Sequence, residues 1–304
     1  MLISEVMAPA KLNLDLQIGG KQSNGFHDIK SVILALNFGD VIKIEILQPR
    51  QGKPDIEVNM NWYISPAEDI PAEKNLIFRA ISLFKSFTGY NFPVFAEIDK
   101  YIPLGGGLGG GSSDAALTLK ALNCLVPAEK PLCTKEELME IGASLGSDIP
   151  FFLSNSPAAL VSGRGEHVQA LKLPQSVYEL SFLLVNPEIP CNTASVYNLL
   201  DIWREKTNFS QNFKLFEPEQ LLQILSGPPS NWPFCNDFFP VFQTENYLKI
   251  FNSLKVLGAD FSGLSGSGSA CFGVFSDYQK ALKAKTILEK QWPFVILTSP
   301  LKAA

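Results

Sequence analysis

The chain has 304 residues, with 25 Lys and Arg against 30 Asp and Glu, a formal charge of −5. An acidic chain lacks the basic stripe that displaces counterions from a polyanion, so no nucleic-acid partner is expected. With 46% hydrophobic and 18% charged residues it can bury a real core, which excludes disorder, and its length predicts two domains.

Two histidines, His27 and His167, leave no room for an imidazole-rich metal site. The five cysteines form no CxxC pair, as expected of reduced thiols. The N-terminus has neither the basic-then-apolar order of a secretion signal nor the Arg- and Ser-rich character of a transit peptide. The longest apolar runs fall far short of the ~20 residues that span a bilayer. A soluble, cytoplasmic protein with no membrane partner is expected.

In chain order, residues 11–18, 30–38 and 41–47 are alternating or compact apolar runs bounded by Gly, Asn and Pro, and predict strands. Residues 74–87 set Leu76, Ile77, Ala80, Leu83 and Phe84 on one helical face. Residues 94–100 read as a strand that runs past Pro103 into a glycine run, with a helix behind it at 114–125. A further helix at 135–146 ends on Gly146 and delivers Ser147-Asp148-Ile149-Pro150. Residues 158–171 predict strand-turn-strand, 181–187 a strand, and a helix starts near Thr193. Residues 204–235 are rich in Asn, Gln, Pro and Phe, with a short helical piece at 219–225. A long helix is predicted from just after Asn236-Asp237 to Leu257. Two strands then flank Gly263–Ser269, and a helix at 278–290 and a strand at 292–298 close the pattern. Mixing without strict alternation predicts an α+β class. The Ser-Asn-Ser-Pro stretch suggests domains at 1–162 and 163–304.

The strongest chemical signal is Pro103, Leu104, Gly105, Gly106, Gly107, Leu108, Gly109, Gly110, Gly111, Ser112 and Ser113. Glycine costs backbone entropy in an ordered element, so such a run between strand and helix needs a purpose. Its physical use is a backbone that brings several N–H groups to phosphate oxygens at the positive end of a helix. Gly111, not Lys, precedes Ser112, which excludes a Walker A loop. Gly105, Gly107 and Gly110 fit the dinucleotide pattern only weakly, because any glycine run does.

Together with Pro9-Ala10-Lys11-Leu12-Asn13-Leu14, Gly25-Phe26-His27 and Gly263–Ser269, this run resembles the signature of the galactokinase–homoserine kinase–mevalonate kinase–phosphomevalonate kinase (GHMP) superfamily. The likeness continues through residues 146–152 and 162–166, Thr193 to Tyr197, and Cys235-Asn236-Asp237, and so covers essentially the whole chain. It points to the branch whose alcohol substrate carries a cytidine diphosphate group. That substrate is phosphorylated by ATP on its 2-hydroxyl, in the non-mevalonate route to isoprenoid precursors. The resemblance implies a ribosomal-protein-like N-terminal domain and a ferredoxin-like C-terminal domain, with the active site in the cleft between them. A related kinase for mevalonate or homoserine is the alternative, although Phe26-His27 has no purpose for a substrate without a base.

The resemblance also implies residue roles. Asp148 would take or orient the acceptor proton, whereas by local sequence alone it would cap the next element. Lys11 would hold Asp148 ionised and stabilise the transferring phosphoryl group; alone, a lysine in an apolar strand is usually an edge residue. Asn13, two residues on, shares its strand face. Phe26 and His27 would offer an aromatic face and an imidazole to the base, with Phe where the family more often has Tyr. Tyr197 would stack on the base, Thr193 would make a polar contact, and Asn75 and Lys100 would lie beside adenine and ribose. Gly266, Ser267 and Gly268 would support the phosphate loop, with Ser269 in place of the family's usual Ala. Magnesium would bridge the phosphates, with Ser112 or Ser113 reaching it and waters completing its shell.

Overall fold

The computed structural model describes residues 2–49, 51–52, 54–64, 70–126, 131–189, 191–209, 213, 216–242 and 244–302. The chain forms two compact units, neither of them one continuous stretch. Met1–Ala10, Gly39–Leu104 and Gly109–Asn155 make the first, and Lys11–Phe38, Gly105–Leu108 and Ser156–Ala304 the second. Two long strands, β1 (Leu2–Lys21) and β2 (His27–Ile46), give one part of their length to each unit. Residues 30–38 and 41–47 are therefore one strand rather than the two predicted. Gly39 explains the continuity: a Cβ there would overlap Ala8 O, so only glycine lets these neighbours lie so close.

In the first unit, β3 (Ile56–Trp62) crosses through helix α1 (Leu76–Thr88) to β4 (Val94–Lys100), which pairs with it in parallel. Val41–Ile46 of β2 pairs antiparallel on the other edge of β4. The sequence reading missed β3, although its burial alternates along the whole strand. The buried stripe of α1 is Ile77, Ala80, Ile81 and Phe84: three of the five predicted residues hold, Leu76 and Leu83 are only partly buried, and Ile81 joins the stripe. Helix α2 (Gly110–Leu125) begins inside the glycine run rather than at 114, because Gly109 takes the left-handed conformation (φ +70) that turns the chain into it. Helices α3 (Lys135–Leu145) and α4 (Ile149–Leu153) complete the unit, α3 opening on a Thr134–Glu137 capping box.

From Ser156 on, the second unit continues with the predicted strand-turn-strand, β5 (Ala158–Gly163) and β6 (His167–Ala170), with β5 also paired to Ile29–Leu34 of β2. The rest is β7 (Ser181–Asn186), α5 (Thr193–Thr207), α6 (Pro218–Ser226), α7 (Glu245–Val256), β8 (Phe261–Leu264), β9 (Cys271–Phe275), α8 (Tyr278–Leu288) and β10 (Phe294–Thr298). An antiparallel sheet of order β10-β7-β9-β8 carries the core, with Leu183 and Val185 packed among Leu200, Ile250, Leu254, Ala284 and Leu288. The long helix predicted after Asn236-Asp237 is instead a 3-10 turn at Phe239–Val241 followed by α7. Asn236 Oδ1 accepts from Phe238 N (2.9 Å) and Pro240 has no N–H to give, so the segment turns before helix can propagate. Within the Asn-, Gln-, Pro- and Phe-rich stretch, α6 falls where the short helical piece was expected; residues 210–212 and 214–215 lie outside the described residues. Among the described residues no helix is long and apolar enough to cross a membrane.

Candidate active site

The glycine run serves both units in succession. Gly105–Leu108 belongs to the second and lies against the late turn at 265–268. A Cβ on Gly107 (φ +73) would overlap Ser265 O, so the two backbones touch only because position 107 has no side chain. Ser265 Oγ donates to Gly107 O (2.9 Å) and accepts from Asn13 N (3.3 Å), while Ala270 N donates to Gly106 O (3.1 Å). Lys11 N donates to Leu108 O (2.9 Å), which ties β1 to the same loop. Asn236 Nδ2 steadies the late turn by donating to Leu264 O (2.8 Å) and Gly266 O (2.9 Å). Thr193, the first residue of α5, places its hydroxyl 3.0 Å from that of Ser267.

Lys11 and Asn13 meet as strand alternation predicts: Lys11 Nζ donates to Asn13 Oδ1 (2.6 Å). Asn13 Nδ2 donates in turn to Ser31 Oγ (2.7 Å), whose hydroxyl donates to Asp15 O (2.6 Å). Lys11 is buried, so it is not an edge lysine reaching out to water.

In the first unit, Gly109 to Ser113 open α2. Helix geometry leaves the first-turn amides without intrahelical partners, and no side chain caps them. A Cβ on Gly110 would press on Ile102, which holds this turn close to the segment leaving β4. Beneath it, Lys100 Nζ donates to both Asp40 Oδ2 and Asp114 Oδ2, the latter at 2.6 Å. Asp40 Oδ1 accepts from Tyr101 N (2.6 Å) and Ile102 N (2.8 Å), pinning the backbone that enters the run. Lys100 is 1% exposed. Its ammonium therefore faces the interior rather than an open nucleotide surface. Burial alone would lower its pKa, but the two carboxylates raise it above the ordinary value. Burial pushes Asp114 up to about 8; Lys100 opposes the rise and Asp40 adds to it.

Asn75 is the N-cap of α1, its Oδ1 accepting from Ile77 N (2.9 Å) and Phe78 N (3.4 Å). Asp148 stands at the N-cap position of α4, yet its carboxylate makes no capping bond. Ser113 is wholly buried and its hydroxyl finds no partner among the described residues, whereas Ser112 is partly exposed.

The second unit holds the third group. Gly25 (φ +84) turns the chain so that Phe26 is 50% exposed, with the Arg164 guanidinium 4.1 Å from its ring centroid. His27 turns inward, stacks on Tyr197 (centroids 4.8 Å apart, 29° between planes) and places Nε2 2.8 Å from Asp201 Oδ1. Tyr197 also meets Phe238 edge-on at 4.9 Å. Of the expected residues, the structure joins Lys11 to Asn13, His27 to Tyr197, and Thr193 to Ser267. Asp40, Asp114, Asp201, Ser265 and Asn236 were missed as parts of these groups. Ser265 and Asn236 lay inside motifs already singled out, and Asp201 stands one helical turn beyond Tyr197, whereas nothing in the local pattern pointed to Asp40.

Comparison with known proteins gives this arrangement its setting. Residues 75–156 match the family model for the GHMP kinases N terminal domain, and residues 242–293 that for the GHMP kinases C terminal. A protein from Thermodesulfovibrio yellowstonii named 4-diphosphocytidyl-2-C-methyl-D-erythritol kinase is 37% identical over 96% of this chain and 98% of its own. The chain belongs to the GHMP kinase family. A Burkholderia orbicola kinase of the same name is 33% identical over 94% of this chain and 90% of its own. The crystal structure of a 4-(cytidine 5'-diphospho)-2C-methyl-D-erythritol kinase matches this GHMP kinase with a TM-score of 0.75 at 28% identity, covering 97% and 98% of the two chains. A homoserine kinase from Cytophaga hutchinsonii, at 16% identity and a TM-score of 0.67, shares the fold.

Proposed function

We propose that this kinase transfers the γ-phosphoryl group of ATP to the 2-hydroxyl of 4-diphosphocytidyl-2-C-methyl-D-erythritol, in the non-mevalonate route to isoprenoid precursors. The observation that carries the reading is the likeness to kinases of that name along nearly the full length of both chains. Mevalonate and homoserine kinases share the fold at 14–16% identity and so say nothing about substrate.

Phosphoryl transfer is mostly positioning and charge stabilisation. The uncapped first turn of α2 suits the ATP phosphates, because its amides and dipole favour anionic oxygens. A magnesium ion would be carried mainly by the ATP phosphates themselves, with waters completing its shell. Ser112 is the hydroxyl assigned to it, since that of Ser113 is sealed inward. Lys11 stabilises charge on the transferring group. Asp148 takes or orients the acceptor proton. Phe26 and His27 receive the base, with Tyr197 backing the imidazole. Asn75 and Lys100 act on the nucleotide side through the elements they hold: α1 for Asn75, and the entry to the glycine run for Lys100.

ATP consumption measured against the cytidine diphosphate substrate, mevalonate and homoserine tests the reading; turnover of either other alcohol without the first would overturn it. Asp148→Asn should lower turnover by ~10²–10⁴, with both substrates still binding, if the carboxylate acts as a base. Turnover close to that of the unaltered enzyme removes Asp148 from the mechanism.

A further inference from the structure

An imidazole can read a base in two opposite ways, according to which nitrogen carries its proton. In this chain that choice has a visible cause. Asp201 Oδ1 lies 2.8 Å from His27 Nε2, while its Oδ2 lies 3.6 Å from the Lys21 ammonium. An ionised carboxylate with a lysine nearby accepts and does not donate, so the hydrogen of a neutral imidazole must sit on Nε2. Nδ1 is then an acceptor. It has no partner among the described residues. Stacking on Tyr197 prevents the ring from turning freely. One turn along α5, Arg204 donates to Ile18 O (2.7 Å), Gly19 O (3.0 Å) and Asp237 Oδ2 (3.2 Å), which fixes the helix face carrying Asp201 against the end of β1.

We propose that Asp201 is a specificity-determining residue: by holding hydrogen on His27 Nε2 it makes Nδ1 an acceptor that selects the exocyclic amine of cytosine over the carbonyl oxygen of uracil. This rests on the proposed function, in which His27 meets the base. Cytosine presents an N4 amine as donor where uracil presents only an acceptor. An acceptor facing uracil is left unpaired and opposed, the kind of mismatch that discriminates most strongly. Asp201 touches no substrate and acts through His27. It is a positioning residue.

The test compares kcat/KM for the cytidine substrate and its uridine counterpart at saturating ATP. The unaltered enzyme should prefer cytidine. Asp201→Asn offers Nε2 a donor as readily as an acceptor, so the tautomer is released. The cytidine-to-uridine ratio should fall roughly ten- to a hundred-fold while the KM for ATP holds. Because the chain has only two histidines, ring-nitrogen NMR of His-labelled protein carrying His167→Gln reads the tautomer directly and needs no change at Asp201. Protonated Nε2 with bare Nδ1 supports the proposal, and the reverse tautomer overturns it. An unchanged ratio in Asp201→Asn, with active parent enzyme, overturns it while leaving the proposed function standing. A parent enzyme that cannot use the cytidine substrate at all overturns both.

Discussion

In the first unit a lysine stands between two carboxylates; in the second a carboxylate stands between a lysine and an imidazole. The chemistry is similar and the surroundings are opposite. Lys100, Asp40 and Asp114 have side chains at most 1% exposed, so that cluster has no face for a ligand and can act only through the backbone it pins. In the other cluster the Lys21 side chain is 52% exposed, and His27 keeps a nitrogen without a partner among the described residues. Titratable side chains gathered together therefore do not by themselves mark a recognition site. What distinguishes the two is whether a polar atom is left over where a ligand can reach it.

The comparison is easiest to break at Lys100. Lys100→Met leaves Asp40 and Asp114 buried without their cation, and removing one partner of a buried ion pair costs about 3–5 kcal/mol. Urea unfolding should show that loss; a change within 1 kcal/mol, roughly a surface-substitution effect, would mean the cluster is not a structural anchor. At His27 the effect should appear in recognition. His27→Ala should raise the KM for the cytidine substrate ten- to a hundred-fold, or ~1–3 kcal/mol, and leave that for ATP nearly unchanged. Equal effects on both substrates would move His27 into the structural class with Lys100.

Asp114 gives the effect that depends most sharply on pH. Its carboxyl is raised from 3.8 to about 8, so across that window the folded protein holds a proton that the unfolded chain releases. The contribution to stability therefore falls as pH rises through the window. Asp114→Asn has no such proton to lose. Relative to the parent protein it should gain steadily from about pH 4 to about pH 8 and level off above, in unfolding curves taken at each pH. A difference that stays flat with pH would show that Asp114 is ionised throughout and shares Lys100 equally with Asp40.

Much of the fold was written in local pattern. The helix at α1, the pairing of Lys11 with Asn13 and the start of α5 all depend on residues within a turn or two of one another. Spacing alone therefore reveals them. Asn75 shows where that reading divides: its family resemblance suggested a nucleotide neighbour, and the structure adds the N-cap of α1.

What tertiary structure alone decided are the meetings of distant segments. Lys100 finds Asp40 across 60 positions, Gly107 meets Ser265 across 158, and His27 reaches Asp201 across 174. No periodicity spans such distances, because each meeting is set by how strands and helices pack once formed. Gly39 joins two predicted strands into one only because Ala8 passes beside it, and Asn236 ends a helical pattern only because its side chain folds back on Phe238 and reaches the late turn. Sequence determined which side chains were able to do chemistry. Packing determined which of them are spent on partners inside the protein and which keep an atom without one, because desolvation drives a buried charge to take a partner while a neutral ring nitrogen costs less to leave unpaired.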